Sequence, residues 1–273
     1  MGLPAEVTDV TSEFLRLADA RAPGLVEGLY LRGSLGFGEY FEGQSDVDFT
    51  AVLCARPDAD QLAALAAAHE AVSAAHPKPH FDGFHLVRDD LARPPDQCPD
   101  LPVMFDGAFK PGARNDVHPV SWHELARHGI AVRGPALSER DVWTDDVMLR
   151  AYSHGNLSSY WAGVADTLAR HPGEETSDPW IAAWCVLGVS RLHHLLATGT
   201  LTSKCGAGRY ALTAFGEQWH RIIREALRAR ERPGDVSSYD RELDARGRDT
   251  TAFTVMAIES GLALGPVAPV RRS

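Results

Sequence analysis

Cysteine is scarce in this chain: Cys54, Cys98, Cys185 and Cys205 are four among 273 residues, and no two of them form a Cys-x-x-Cys pair. That usage fits reduced thiols in a cytosolic protein, mostly buried as small hydrophobes, with Cys54 and Cys185 lying in apolar runs. No uninterrupted apolar run reaches the roughly 18 residues needed to span a bilayer, and the acidic, amphipathic N-terminus has no signal-peptide core. Basic excess is missing as well, since the formal net charge is −10. Nucleic-acid binders usually present a basic face, so a phosphate backbone is disfavoured as the main partner. An acidic surface draws cationic partners, polyamine-like small molecules among them, or simply keeps the chain in solution. His69, His76, His80 and His85 lack metal spacing and read as structural or solvated. No internal repeat is present.

What the chain does have is concentrated between Leu29 and Leu53. A strand-like run, Leu29-Tyr30-Leu31, leads into Gly33-Ser34. Asp46-Val47-Asp48 then opens a second apolar run, Phe49-Thr50-Ala51-Val52-Leu53. Alternate residues of a strand share a face, so Asp46 and Asp48 aim both carboxylates one way while Val47 and Phe49 pack on the other. Two converging hard oxygen ligands suit Mg²⁺, which takes carboxylates together with substrate phosphates. Glycine lets backbone approach closely, and backbone N–H groups with the Ser34 hydroxyl can hold phosphate oxygens.

Elsewhere the periodicity gives a first helix through Val7, Val10, Phe14 and Leu17. Asp58 and Gln61 form a capping box ahead of a second helix. His80–Val87 reads as a third strand. Arg93–Pro119 reads as loops with one hairpin, Val103–Phe109 against Val117–Val120. Ser121-Trp122-His123-Glu124 reads as a second capping box, starting a helix that stops near Gly129. After Gly134-Pro135 helical patterns take over. One runs from Leu149 to Leu168. Asp178-Pro179 caps another that ends at Gly199. Others cover Lys204–Leu212, Phe215–Arg230 and Thr250–Leu264. Glu231–Arg248 reads as a loop or mobile connection, and Pro266–Ser273 as a poorly ordered tail.

Gly-Ser, a short spacer and Asp-x-Asp on a strand resemble the active-site signature of DNA polymerase beta-type nucleotidyltransferases. The resemblance implies an α+β chain. Residues 1–143 would form a nucleotidyltransferase α/β domain with a mixed sheet. Residues 144–273 would form an all-α helical-bundle domain completing a ligand cleft. It also implies a third carboxylate on a later strand, and Asp82 in Phe81-Asp82-Gly83-Phe84 stands where one is expected. Such a group ligates metal and accepts the acceptor's proton. An aspartate before glycine is also a common turn residue. Asp89 and Asp90, past that strand, look like helix caps.

The helical half carries a second resemblance. Arg191, Ala197-Thr198-Gly199, Thr202-Ser203-Lys204, Ala207 and Tyr210-Ala211-Leu212 resemble the C-terminal domain of bacterial aminoglycoside (streptomycin and spectinomycin) adenylyltransferases. By that resemblance Lys204 contacts the ATP phosphates and Arg191 lies at the nucleotide. A cation at a helix N-terminus opposes the helix dipole, which agrees with a ligand role for Lys204. Arg228 and Arg230 are further candidates for positive charge. One departure stands out. Ile181 and Trp184 occupy positions where those enzymes grip the drug with acidic and histidine side chains. Trp161, Trp180 and Trp184 are either core or an aromatic acceptor site.

The expected activity is therefore Mg²⁺-dependent transfer of AMP from ATP to a hydroxyl of a small, cationic acceptor, an aminoglycoside among the candidates, in the cytoplasm. Asp46, Asp48 and Asp82 would be metal-binding and catalytic. Gly33, Ser34, Arg191 and Lys204 would hold the nucleotide. Two alternatives use the same motif: a transferase modifying a protein or RNA, as in toxin–antitoxin pairs, and a non-catalytic nucleotide-binding regulator.

Overall fold

The computed structural model describes residues 2–171 and 175–265. The expected tail Pro266–Ser273 lies outside them. The chain divides into two compact units, Met1–Asp145 and Asp146–Ser273.

The first unit is built on a six-stranded sheet. Its strands are β1 (Val26–Leu31), β2 (Val47–Leu53), β3 (Phe81–Val87), β4 (Leu101–Phe105), β5 (Ala108–Ala113) and β6 (Ile130–Arg133). Their order is β5-β4-β3-β2-β1-β6. Only β2 and β3 run parallel; every other pairing is antiparallel. The sheet is therefore mixed, and the crossover that a parallel pair requires is the helix α3 (Ala59–Ala75). That helix starts as expected, because Asp58 accepts from the Gln61 N–H at 2.8 Å and Gln61 returns the bond at 3.0 Å.

Alternation in the strands sorts side chains onto two faces. Leu29, Leu31, Val47, Phe49, Ala51 and Leu53 pack with Val7, Val10 and Phe14 of α1 (Ala5–Arg21) and with Leu65 and Val72 of α3. Tyr30, Val52, Phe84, Leu86 and Val103 pack on the other face with Trp122 and Leu125 of α5 (Pro119–His128). His69 and His85 lie buried on the first face, with their Nε2 atoms 3.1 Å apart. Burial holds His69 well below the usual imidazole value and His85 at about 4, so both are neutral packing groups at pH 7.

Several local expectations need correction. The hairpin pairs β4 with β5, not with Val117–Val120. Asp106 (φ 49°) and Gly107 (φ 73°) make its turn, and positive φ at both positions is the type I′ signature of an Asp-Gly pair. The helix expected to start at Ser121 starts at Pro119, with His118 as its N-cap. Strand β6 was not expected. Cys54 is exposed rather than buried, just past the end of β2.

Among the described residues the second unit is all-helical. It comprises α6 (Asp146–Asn156), α7 (Ala162–Arg170), α8 (Pro179–Thr198), α9 (Lys204–Ala214), α10 (His220–Glu231) and α11 (Leu243–Ala263). A π-helical turn, Leu157–Trp161, joins α6 to α7. Asp178 caps α8 by accepting from the Trp180 N–H at 2.6 Å, and Gly199 ends it at φ 78°. Helix α8 is long and apolar enough to cross a membrane by length and composition, which a count of uninterrupted apolar residues missed. It is instead the buried centre of this unit, packed by α9, α10 and α11.

Helix α11 begins at Leu243, inside the stretch expected to be a loop. The reason is an ion-pair network. Glu225, 1 % exposed, accepts from Arg228 at 2.9 and 3.0 Å, from Arg246 at 3.1 Å and from Ser237 at 2.7 Å. Arg246 also donates to the Ser177 carbonyl at 2.5 Å. Arg228 is thereby committed inside the unit rather than offered to a ligand. Removing one partner of a buried charge network costs about 3–5 kcal/mol. Glu225→Ala is expected to lose that much stability in urea unfolding followed by helical signal; a loss below about 1 kcal/mol contradicts the role given to this network.

Candidate active site

Three side chains on the α5-facing side of the sheet define the site: Arg32, Asp48 and Asp82. Arg32 follows β1 in an extended conformation, and Gly33 then turns the chain at φ 61°. The Arg32 N–H donates to the Asp48 carbonyl at 3.0 Å, fastening the Gly-Ser turn to β2. A Cβ on Gly33 would lie 2.0 Å from Asp48 Oδ2. Gly33 is thus required twice, by its left-handed backbone and by the carboxylate against it. Ser34 is half-buried in the single helical turn α2 (Gly33–Gly36).

Asp48 lies opposite Asp82 in the parallel register of β2 and β3. Paired positions on neighbouring strands are about 4.8 Å apart, so the two side chains leave adjacent strands on the same face of the sheet. Gly83 has no room for a side chain in this pairing, since a Cβ there would stand 2.1 Å from the Phe49 carbonyl oxygen. Asp46 is exposed just before β2, and its charge acts on Asp82. Val47 and Phe49 are fully buried on the opposite face, as the alternation required.

Asp82 is the unusual carboxylate. It is 9 % exposed. Its Oδ2 accepts from the Asp106 N–H at 3.2 Å, while its Oδ1 is buried without a hydrogen-bond partner. Burial, reinforced by the charges of Asp46 and Asp116, raises its pKa to about 6, against the lowering effect of the Asp106 N–H and His80. A buried oxygen lacking a partner beside a second carboxylate fits a divalent cation. Among the described residues no three His, Cys, Asp or Glu side chains form a ready-made metal cluster. Mg²⁺ characteristically binds through one or two carboxylates plus substrate phosphates, so its fit does not need an all-protein cage.

Sequence reasoning missed Arg32, Asp106, Asp116 and Glu124. Arg32 is 4 % exposed, with Nη2 3.0 Å from Asp116 Oδ2 and Nη1 3.9 Å from Glu124 Oε2. Arg32 stands directly before the Gly-Ser pair, and Asp106-Gly107 was readable as a hairpin turn. Nothing local marks Asp116 or Glu124. Asp90, set aside as a cap, is one: buried, it accepts from the Val87 N–H at 3.0 Å and from Arg56 at 2.5 Å.

In the helical unit Lys204 is the first residue of α9, whose N-cap Ser203 accepts from the Gly206 N–H at 2.8 Å. Arg191 lies on α8, and both cations are half-buried. The tryptophans divide. Trp161 is core, fitted against Gly188, where a Cβ would meet its ring at 2.4 Å. Trp184 and Ile181 are half-buried, while Trp180 and Tyr160 are exposed. Trp180 stacks on Trp184 with ring centroids 5.7 Å apart, and Trp161 follows at 5.2 Å from Trp184. The row therefore starts in the core and ends in solvent.

A mixed sheet with a Gly-Ser turn and facing aspartates, followed by a helical unit, is an α+β architecture. Residues 157–251 match the family model described as aminoglycoside adenylyltransferase, C-terminal domain. The fold is similar to that of spectinomycin adenyltransferase AAD(9) from Enterococcus faecialis, solved with ATP and spectinomycin. The TM-score is 0.65 at 13 % identity, covering 91 % of this chain and 99 % of that one. No curated protein matches the chain by sequence. In these two respects the chain resembles the aminoglycoside adenylyltransferases.

Two substitutions test the site's physics without an acceptor. With its pKa raised, Asp82 stabilises the fold fully below about pH 4, and that contribution is lost as pH rises through about 6. Metal-free Asp82→Asn is therefore expected to exceed the parent in unfolding free energy by up to roughly 3 kcal/mol at pH 7.5, and to match it at pH 4. Equal stabilities at both pH values contradict the buried, ionised Asp82. Gly33→Ala is expected to lower the unfolding free energy by about 1–3 kcal/mol, the cost of a left-handed backbone at a residue with a Cβ; parental stability rules out the tight turn.

Proposed function

We propose that this protein transfers AMP from ATP to a hydroxyl of a small, cationic, hydroxylated acceptor of the aminoglycoside class. The observation that supports the reading best is the in-register pairing of Asp48 with Asp82, with the Gly33 backbone against the Asp48 carboxylate. Asp46 and Asp48, with Asp82, are the groups that would hold Mg²⁺, which when bound neutralises phosphate charge and steadies the departing pyrophosphate. Gly33 and Ser34 anchor the triphosphate. Lys204 and Arg191 are the cations assigned to the nucleotide.

Transfer forms one bond, from the acceptor oxygen to the α-phosphorus, and breaks the bond from that phosphorus to the oxygen leading to the β-phosphorus. The acceptor proton goes to Asp82. A carboxylate near pKa 6 is a better proton acceptor than an ordinary one and remains ionised at neutral pH. The electron pair of the broken bond leaves with pyrophosphate. The rest of catalysis is positioning and charge.

Ile181 cannot hydrogen-bond a sugar hydroxyl, Trp184 offers only its indole N–H as a donor, and neither supplies a carboxylate to a cation. The acceptor accordingly differs in part from streptomycin or spectinomycin, with an apolar or flat portion facing that side of the helical unit. Free thiols at Cys54, Cys98, Cys185 and Cys205 support a reducing, cytoplasmic setting.

The test is pyrophosphate release from ATP across a panel of aminoglycosides and related amino sugars, with adducts scored by mass. One acceptor is expected to gain an adenylyl group. Asp46→Ala with Asp48→Ala is expected to lower the rate at least ~1,000-fold. Lys204→Ala is expected to raise KM for ATP about tenfold, the loss of one charge-assisted phosphate contact. ATP binding without transfer to any acceptor, or a double variant with the parental rate, contradicts the assignment.

A further inference from the structure

Arg32 has no part in the reaction just described, yet it is the most completely buried charge beside it. Its guanidinium faces carboxylates on several sides. Asp116 Oδ2 is 3.0 Å from Nη2, Glu124 Oε2 is 3.9 Å from Nη1, and the charge of Asp48 attracts it as well. The Phe84 ring, two residues after Asp82, lies beneath it with the guanidinium carbon 5.4 Å from the ring centroid. Its Nε is buried without a hydrogen-bond partner. A clamp built for stability would form one bidentate pair and satisfy every N–H. This arginine instead spreads one charge over an acidic group and leaves a donor unmet. Asp116 holds it from the loop before α5 with a left-handed backbone (φ 60°), an uncommon conformation for any residue but glycine.

Position matters as much as charge. The Arg32 N–H is bonded to the Asp48 carbonyl, so its backbone cannot move independently of β2. Arg32, Asp48 and Asp82 share one face of the sheet, as the Tyr30, Val52 and Phe84 side chains of the same strands show. A fixed positive charge is therefore built beside the carboxylates assigned to the metal.

We propose that Arg32 is a positioning residue, a built-in counter-charge that competes with a divalent cation for Asp48, so that the metal binds firmly only when nucleotide phosphates arrive with it. The inference rests on the metal-site reading above. Its consequence is specific. Removing the Arg32 charge tightens metal binding to the nucleotide-free protein and narrows the gain that nucleotide brings. A purely structural arginine moves neither metal affinity nor its dependence on nucleotide.

The experiment is Mn²⁺ titration of the full chain, read by the paramagnetic signal of free Mn²⁺, without nucleotide and with a non-hydrolysable ATP analogue. The parent is expected to bind Mn²⁺ weakly alone and at least tenfold more tightly with the analogue. Arg32→Met is expected to bind Mn²⁺ alone about tenfold more tightly than the parent. Arg32→Lys, which keeps the charge, is expected to stay within about threefold of it. Should Arg32→Met not fold, Asp116→Asn, which releases the guanidinium toward Asp48, is expected to weaken Mn²⁺ binding by about threefold or more. Folded variants with parental affinity overturn the proposal. Asp46→Asn with Asp48→Asn is the control: if it leaves Mn²⁺ binding intact, the metal-site reading fails rather than the role of Arg32.

Discussion

The parallel pairing of β2 with β3 is the constraint on which the candidate site depends. It sets Asp48 opposite Asp82 on one face and demands glycine at Gly83 against the Phe49 carbonyl, while the turn after β1 demands it at Gly33 against the Asp48 carboxylate. Parallel strands cannot be joined by a tight hairpin, so α3 must cross between them. That helix in turn buries the face opposite the aspartates, through Leu65 and Val72 against Phe49. Core packing and carboxylate placement are thus one device read from two sides of a pleated strand.

Charge is arranged around that pairing so that each carboxylate has a different standing. Asp116 is held well below the usual range, chiefly by the Arg32 charge against the cost of burial. Asp82 is pushed up to about 6 by burial and by its acidic neighbours. Groups whose environments drive their proton affinities apart are how one site assigns separate roles to chemically identical side chains. Here the lowered member is tied to arginine and the raised member keeps an unmet oxygen, which separates a structural aspartate from one suited to a ligand.

The parts of this arrangement that were legible in the sequence are those fixed by near neighbours in the chain. The Asp58–Gln61 box, the Asp178-Pro179 start and the Gly199 stop all declare themselves within four residues. The alternation from Asp46 to Phe49 is equally local. Strand β6 is short and half-exposed, and pairs with β1 only because the sheet leaves that edge open, so no local pattern marks it. The start of α11 depends on Arg246 reaching Glu225, which lies on another helix. Arg32 belongs to the same kind: its meaning comes from Asp116 and Glu124, more than eighty residues away along the chain. Asp106-Gly107 is different. Its turn signal was present in the sequence, and the apolar residues on either side masked it.

The helical unit carries the family resemblance, while the sheet unit carries the carboxylates. Within the helical unit the row from Trp161 through Trp184 to Trp180 runs from core to solvent. The central claim is that Asp46, Asp48 and Asp82 bind a divalent cation together with nucleotide phosphates. The most direct measurement is a crystal structure with Mn²⁺ and a non-hydrolysable ATP analogue, using the anomalous signal to locate the metal. The account predicts a peak about 2.1–2.2 Å from carboxylate oxygens of Asp46 and Asp48, bridged to phosphate oxygens. Nucleotide bound with the peak elsewhere, or with those carboxylates turned away from it, would contradict the account.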